Sequence, residues 1–252
     1  MNIHSRLTLV LIAVILTLSA CGGRNSVRDD VKDNQYTAED VYDLAKESME
    51  RNNFNRAIQL FEVLEVRFPF SEFTRQGQLD LMYAYYRSRS PESAIEAANR
   101  FIREHPRHEK VDYAYYMRGL ATFPDGLSSL ESLFRVNPYA RPQAKARESF
   151  DAFGALLQRF PESEWAEDAR QRMVYLRNAL ARYELNVANY YMERGAYVAA
   201  ANRAKRVLEE FQESDAVLDA LQVQIDAYDK LGLGELAMDS KRVLEENRQR
   251  NP

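Results

Sequence analysis

Cysteine is nearly absent from this 252-residue chain: Cys21 is alone, so no intramolecular disulfide can form. Histidine is almost as scarce. His4 lies in the leader-like start, and His105 and His108 flank Pro106 with no cysteine near them, a spacing that does not suggest a zinc site. No glycine-rich phosphate loop and no G-x-S-x-G elbow occurs. The carboxylates are numerous but scattered over what should be solvated helix faces. These absences leave no catalytic residue and no metal ligand to nominate. Nine glycines and eight prolines are few for this length, which points to a mainly helical chain. The net charge of −4 gives no excess of base, so nucleic acid is not expected as a partner.

What is present begins at the amino terminus. Arg6 precedes an almost purely apolar run from Leu7 to Leu18, then the small residues Ser19 and Ala20, then Cys21. A basic start, about a dozen apolar residues and a small-residue end describe a secretory signal peptide. The run is shorter than the roughly 20 residues a spanning helix needs. Leu18-Ser19-Ala20-Cys21 also resembles a bacterial lipobox. That resemblance implies cleavage before Cys21, a diacylglycerol on its thiol and an acyl chain (palmitate) on its new amino group, with no other cofactor. Gly22 stands where Asp would favour inner-membrane retention, so the periplasmic face of the outer membrane is expected. Residues 21–36 are polar and read as a tether. Thr37, with Asp40 three residues on, marks the first helix start.

The folded part is repetitive. Phe68-Pro69, His105-Pro106, Phe160-Pro161 and, without its proline, Phe211-Gln212 each close a segment. About a dozen residues before each closure stands a small residue, Ala57, Ala94, Ser149 or Ala200, and Ala237 fits a fifth unit, with spacings of 37, 55, 51 and 37 residues. Leu64, Phe101, Leu156, Val207 and Leu244 follow seven residues later. Small residues there allow two helices to approach, and proline ends the second. The pattern is similar to the tetratricopeptide repeat and predicts an all-α fold: five helical hairpins forming a curved superhelical array. In the third unit a helix from about Val111 to Phe123 is followed by a connector running to Pro142, and a continuous helical pattern covers Ser163 to Arg194, about 48 Å at 1.5 Å per residue. That long helix is expected to join two halves.

Tyrosines cluster at Tyr83, Tyr85 and Tyr86, and again at Tyr113, Tyr115 and Tyr116. Three rings within four helical residues cannot all point into a core, so some should reach a groove, where a large apolar face with a polar tip suits peptide recognition.

Several stretches are more specific than the repeat. Arg67-Phe68-Pro69-Phe70, Gln78 to Tyr86, Tyr115-Tyr116-Met117-Arg118-Gly119-Leu120 and Tyr190 to Arg203 resemble the BamD family of YfiO-type lipoproteins, and the similarity spans nearly all of the chain after the leader. The resemblance implies a non-enzymatic subunit of the β-barrel assembly machine. Its expected partners are BamA with its POTRA domains, BamC and other Bam lipoproteins, and unfolded outer-membrane proteins recognised through a C-terminal targeting segment. Carried onto this chain, substrate binding falls on Phe68, Tyr83, Tyr86, Tyr116 and Arg118, and docking to BamA on Arg194 and Arg203. Phe68 stands where the family is expected to carry Tyr, so the ring is kept and the hydroxyl lost. The expected organisation is a signal peptide at 1–20, a lipid tether at 21–36, substrate-recognising repeats at 37–161 and partner-docking repeats at 162–252. A different repeat lipoprotein, scaffolding a pilus secretin or cell-wall enzymes, would share the lipobox but lack the Arg-Phe-Pro-Phe and Glu-Arg-Gly-Ala-Tyr stretches.

Overall fold

The computed structural model describes residues 36–124 and 143–250. Cys21, the tether and the 125–142 connector therefore lie outside the described residues. Regular structure in those described is entirely helical: α1 (Ala38–Glu50), α2 (Phe54–Arg67), α3 (Glu72–Arg87), α4 (Pro91–Glu104), α5 (Val111–Thr122), α6 (Ala144–Arg159), α7 (Ala166–Glu193), α8 (Tyr197–Glu210), α9 (Val217–Leu231) and α10 (Gly234–Arg250). None is long and apolar enough to cross a membrane.

The helix starts and stops follow from local chemistry. Thr37 Oγ1 accepts the Asp40 N–H at 3.2 Å while the Asp40 carboxylate accepts the Thr37 N–H at 2.8 Å, a reciprocal cap that satisfies two orphan donors. The Thr37 hydroxyl, which donates to the Asp40 carboxylate at 2.7 Å, and then the Thr37 N–H hold that carboxyl below its usual range.

The four repeat closures share one backbone conformation. Phe68, His105, Phe160 and Phe211 have φ of −131°, −127°, −135° and −132°, and each N–H donates to the carbonyl four residues back. Each carbonyl then accepts the N–H three residues on, from Ser71, His108, Ser163 and Ser214, at 2.9–3.1 Å. Proline after the closing residue disfavours helix there. Phe211 adopts the same conformation before Gln212, so proline reinforces this geometry without being required for it.

The small residues do what their spacing predicts. Ala57, Ala94, Ser149, Ala200 and Ala237 are all buried, as are Leu64, Phe101, Leu156, Val207 and Leu244 two turns on. Five residues before the small residue the chain turns through left-handed backbone at Asn52 (φ 57°), Arg89 (φ 61°), Gly195 (φ 71°) and Gly232 (φ 71°). Glycine meets that demand without strain, asparagine tolerates it and arginine does not favour it.

The chain divides into two compact units, one ending at Ser88 and the other beginning at Arg89. In the first, α1 packs on α2, α2 on α3 and α1 on α3, around Val41, Ala45, Ala57, Leu60, Phe61, Leu64 and Leu81. Gly77 lets Leu64 and Phe61 press against α3, since a Cβ there would sit 3.0 and 3.1 Å from their side chains. In the second, each helix from α4 to α10 packs on the next, and α7 also packs on α9. Gly119 permits the closest approach, with a Cβ there falling 2.6 Å from the Phe153 ring.

Helix α6 packs against both α5 and α7, so the third and fourth repeats are continuous across the 161/162 boundary expected between the substrate-recognising and partner-docking repeats. The long helix, expected from Ser163 to Arg194, runs from Ala166 to Glu193 and packs on α6 before the 161/162 boundary and on α8 and α9 after it. Its first expected residues form a turn instead, with the Ser163 hydroxyl accepting the Trp165 N–H at 3.2 Å.

Candidate functional site

In the first unit the C-terminal end of α3 meets the tip of the α1–α2 hairpin. Tyr83 and Arg87 are one turn apart, and Phe54, the first residue of α2, closes on both. The Phe54 and Tyr83 rings meet edge-on at 6.4 Å, and Tyr83 and Tyr86 lie 6.4 Å apart. The Arg87 guanidinium lies 4.7 Å from the Phe54 centroid and 5.5 Å from that of Tyr83. It donates to the Tyr83 hydroxyl at 2.5 Å and to Asn52 Oδ1 at 3.5 Å. Among the described residues no carboxylate pairs with it. The result is an exposed cation fixed against aromatic faces, in a geometry worth about 0.5–1 kcal/mol per exposed contact. A cavity of about 310 Å³, lined by Leu44, Glu47, Ser48, Arg51, Asn53 and Arg56, lies at the same hairpin tip. Tyr83 and Tyr86 were legible as candidates. Phe54 and Arg87 were not, although a basic residue four positions after a tyrosine is a signal for such stacking.

Phe68 sits at the opposite end of the hairpin. It is half-buried against the α1–α2 core, with the Arg67 guanidinium 5.5 Å from its ring. Nearby, Tyr42 donates to Asp80 at 2.9 Å and Lys46 pairs with the other Asp80 oxygen at 3.0 Å. Burial first, and then the Asp80 charge, push the Tyr42 hydroxyl well above its usual range.

The second unit holds Tyr116 and Arg118. Tyr116 is buried, stacked on Trp165 at 4.7 Å and packed on Phe153, and its hydroxyl donates to Asp168 at 2.7 Å. Burial, aided by that bond, pushes the Tyr116 hydroxyl up to about 12. Asp168 also accepts from Arg172 at 2.5 Å. Burial alone would raise the Asp168 carboxyl, but the bonds from Arg172 and Tyr116 outweigh it and hold it low. Tyr116 thus ties α5 to α7, and the expectation that it reaches a groove is not how its ring is placed. Arg118 lies 5.6 Å from the Tyr115 ring, with Arg159 5.5 Å from the same ring. Among the described residues Arg118 forms no ion pair with the neighbouring Asp112. Asp112 instead accepts the Ser163 hydroxyl at 2.6 Å.

The two arginines expected at the docking surface differ in kind. Arg194 caps α7, is exposed, and lies 5.0 Å from the Tyr190 ring, which is itself 50% exposed. Arg203 is engaged internally: it pairs at 2.7 Å with Glu184, whose side chain is only 7% exposed, and Arg206 reaches the other Glu184 oxygen at 3.2 Å. Arg206 also joins Arg147 on Glu210, whose carboxyl is raised by burial but lowered by more through those two arginines. A carboxylate inside the apolar stripe of α7 was the available sign that Arg203 had an internal partner. Among the described residues no group of three or more His, Cys, Asp or Glu could hold a metal ion.

The YfiO family profile, described as outer membrane lipoprotein, matches residues 34–243. The outer membrane protein assembly factor BamD of Neisseria meningitidis serogroup A is 42% identical over 245 residues, covering 97% of this chain and 92% of that relative. The protein of the same name from Vibrio cholerae serotype O1 is 34% identical over 233 residues, covering 92% and 96%. Among solved structures, a tetratricopeptide repeat protein from Parabacteroides merdae aligns over 83% of this chain and 79% of its own at 12% identity, with a TM-score of 0.36.

Proposed function

This chain belongs to the YfiO family of outer membrane lipoproteins, and from that premise we propose that it is a BamD-type assembly factor that binds targeting segments of unfolded outer-membrane proteins and docks on BamA. The observation that carries the reading is the 42% identity over 97% of the chain to a relative named for that role. The role is binding, not catalysis. Acylation at Cys21 holds the chain at the periplasmic face of the outer membrane and raises its effective concentration near its partner.

Two surfaces divide the work. An extended segment with alternating aromatic residues rests on the rings of the first unit, where Tyr83 and Tyr86 are joined by Phe54 and Arg87, with Phe68 at the other end of the hairpin. An aromatic platform beside a cation matches a segment that carries both rings and a carboxylate. Arg118, on the second unit, is a carboxylate-binding cation in its own right, while Tyr116 contributes by holding α5 in place. On the second unit, Arg194 with Tyr190 is the docking contact, because both are exposed. Arg203 supports that surface from within through Glu184.

The test is co-purification of the tagged, lipidated chain from detergent-solubilised outer membranes, with stoichiometry read by gel and mass spectrometry. A near one-to-one partner carrying POTRA domains and a barrel, lost on Arg194→Glu without a change in thermal stability, is the expected result. A secretin or a cell-wall synthase at that stoichiometry would overturn the reading.

A further inference from the structure

The four repeat closures have one backbone geometry and so act as internal controls for one another. The second residue after the closing position is Arg107, Glu162 or Glu213 in three of them and Phe70 in the first. Two residues before the closing position the same three carry Arg103, Gln158 and Glu209, and the first carries Val66. Phe70 is 96% exposed and Val66 75%, so the first closure alone presents bare apolar side chains where its equivalents present polar ones. Neither contributes to the core of the first unit, which is complete without them.

Their position matters as much as their exposure. Helices α1 and α2 have 13 and 14 residues and are joined by a short turn, so the start of α1 and the end of α2 lie at the same end of the hairpin. Ala38 and Phe68 pack on one core cluster there. The chain enters α1 at Thr37, only sixteen residues after Cys21, a span that cannot exceed about 55 Å even when fully extended. The bare tip is therefore the end of the hairpin nearest, along the chain, to the acylated residue.

We propose that this tip is a membrane contact: Phe70 and Val66 enter the interfacial layer of the leaflet that holds the Cys21 acyl chains. The proposal rests on the reading that Cys21 is acylated. Lipid is favoured as occupant because both side chains, Phe70 on the turn after α2 and Val66 in the last turn of α2, are exposed and no pocket encloses them. Burial in a bilayer interface needs no pre-formed pocket, and aromatic side chains favour that layer. The contact gives the lipid anchor a second point of attachment and so limits the directions in which the first unit can face.

The test uses the lipidated chain in vesicles of phosphatidylethanolamine and phosphatidylglycerol, with an environment-sensitive fluorophore on Phe70→Cys or, at the far end of the same hairpin, on Glu50→Cys. Neither position contributes to the core, so both variants should fold. The expected result is a blue-shifted emission at residue 70 that nitroxide-labelled lipid quenches, with residue 50 remaining aqueous and unquenched. A chain that floats with the vesicles while residue 70 stays as aqueous as residue 50 overturns the contact and leaves the anchor standing. A chain that does not float refutes the anchor and the contact together. Desolvation of residue 70 by a co-purified protein in detergent, with no change on adding vesicles, would assign the tip to that protein and likewise overturn the proposal.

Discussion

Replacing Arg203 with alanine removes one of the two cations that hold Glu184, and the expected loss can be worked from the geometry. Glu184 is nearly buried on α7, so its charge depends on Arg203 at 2.7 Å and Arg206 at 3.2 Å. Stranding a buried charge outright costs about 3–5 kcal/mol. Arg206 remains in the variant, and Arg203 is 35% exposed and so partly screened by water. Both facts reduce the cost to about 2 kcal/mol, the value of a hydrogen bond to a charged group. For a chain of this size that is a fall of roughly 4–8 °C in Tm. Arg203→Glu costs more, because it sets a second carboxylate against Glu184. The assay is thermal unfolding followed by helical circular dichroism, with Arg203→Ala, Glu184→Gln and their combination forming a cycle. Coupling is expected: the double variant should lose less than the two single losses together. If Arg203→Ala shifts Tm by less than a degree, or the two losses simply add, the internal-pair assignment is wrong and Arg203 returns to the docking surface. This distinction matters for interaction studies, since a charge reversal at Arg203 would weaken partner binding through folding alone, whereas one at Arg194 would not.

Three further outcomes follow from the packing. Gly119→Ala drives a methyl group into the Phe153 ring and should cost about 1–3 kcal/mol, partly recovered by Phe153→Leu, as read from urea midpoints. Arg89→Gly relieves left-handed strain at φ 61° and should raise stability by about 1 kcal/mol, less the entropy glycine adds to the unfolded chain; a loss of stability would show that the Arg89 side chain holds more than the turn. In acid, the carboxyls of Asp168 and Glu210 are held below their unfolded values. Their contribution is therefore present above the unfolded carboxyl range near pH 4 and is lost as pH falls through the folded values. Asp168→Asn should flatten that acid limb in a series of urea midpoints against pH, and an unchanged slope would refute the role given to the Arg172 bond.

The repeat architecture was readable because it depends on quantities that spacing encodes. A buried small residue, a large apolar residue seven positions on and a closing Phe or His recur along the chain, and each is a local requirement of a helical hairpin. The Thr37–Asp40 cap is local in the same sense. Side-chain direction is a different matter. Whether Tyr116 reaches a groove or a core depends on Trp165, which arrives 49 residues later to stack on it. The partner of Arg203 lies across a helix pair, and Phe54 reaches Tyr83 from another helix. The extent of α7's packing was equally hidden, since helical periodicity gives length but not neighbours. Aromatic and charged side chains on interior-facing helices were thus assigned by type, and the structure sorts them by what they touch.

Trp165 is the only tryptophan in the chain, and it is wedged against Tyr113 at 5.3 Å and Tyr116 at 4.7 Å, at the start of α7. The second unit therefore carries an intrinsic optical probe at the junction between α5 and α7. Tyrosine excitation should pass efficiently to that indole while the helices are together and drop when they part. Any ligand that pries α5 from α7 would announce itself as a loss of transfer and a red shift, in unlabelled protein and in real time.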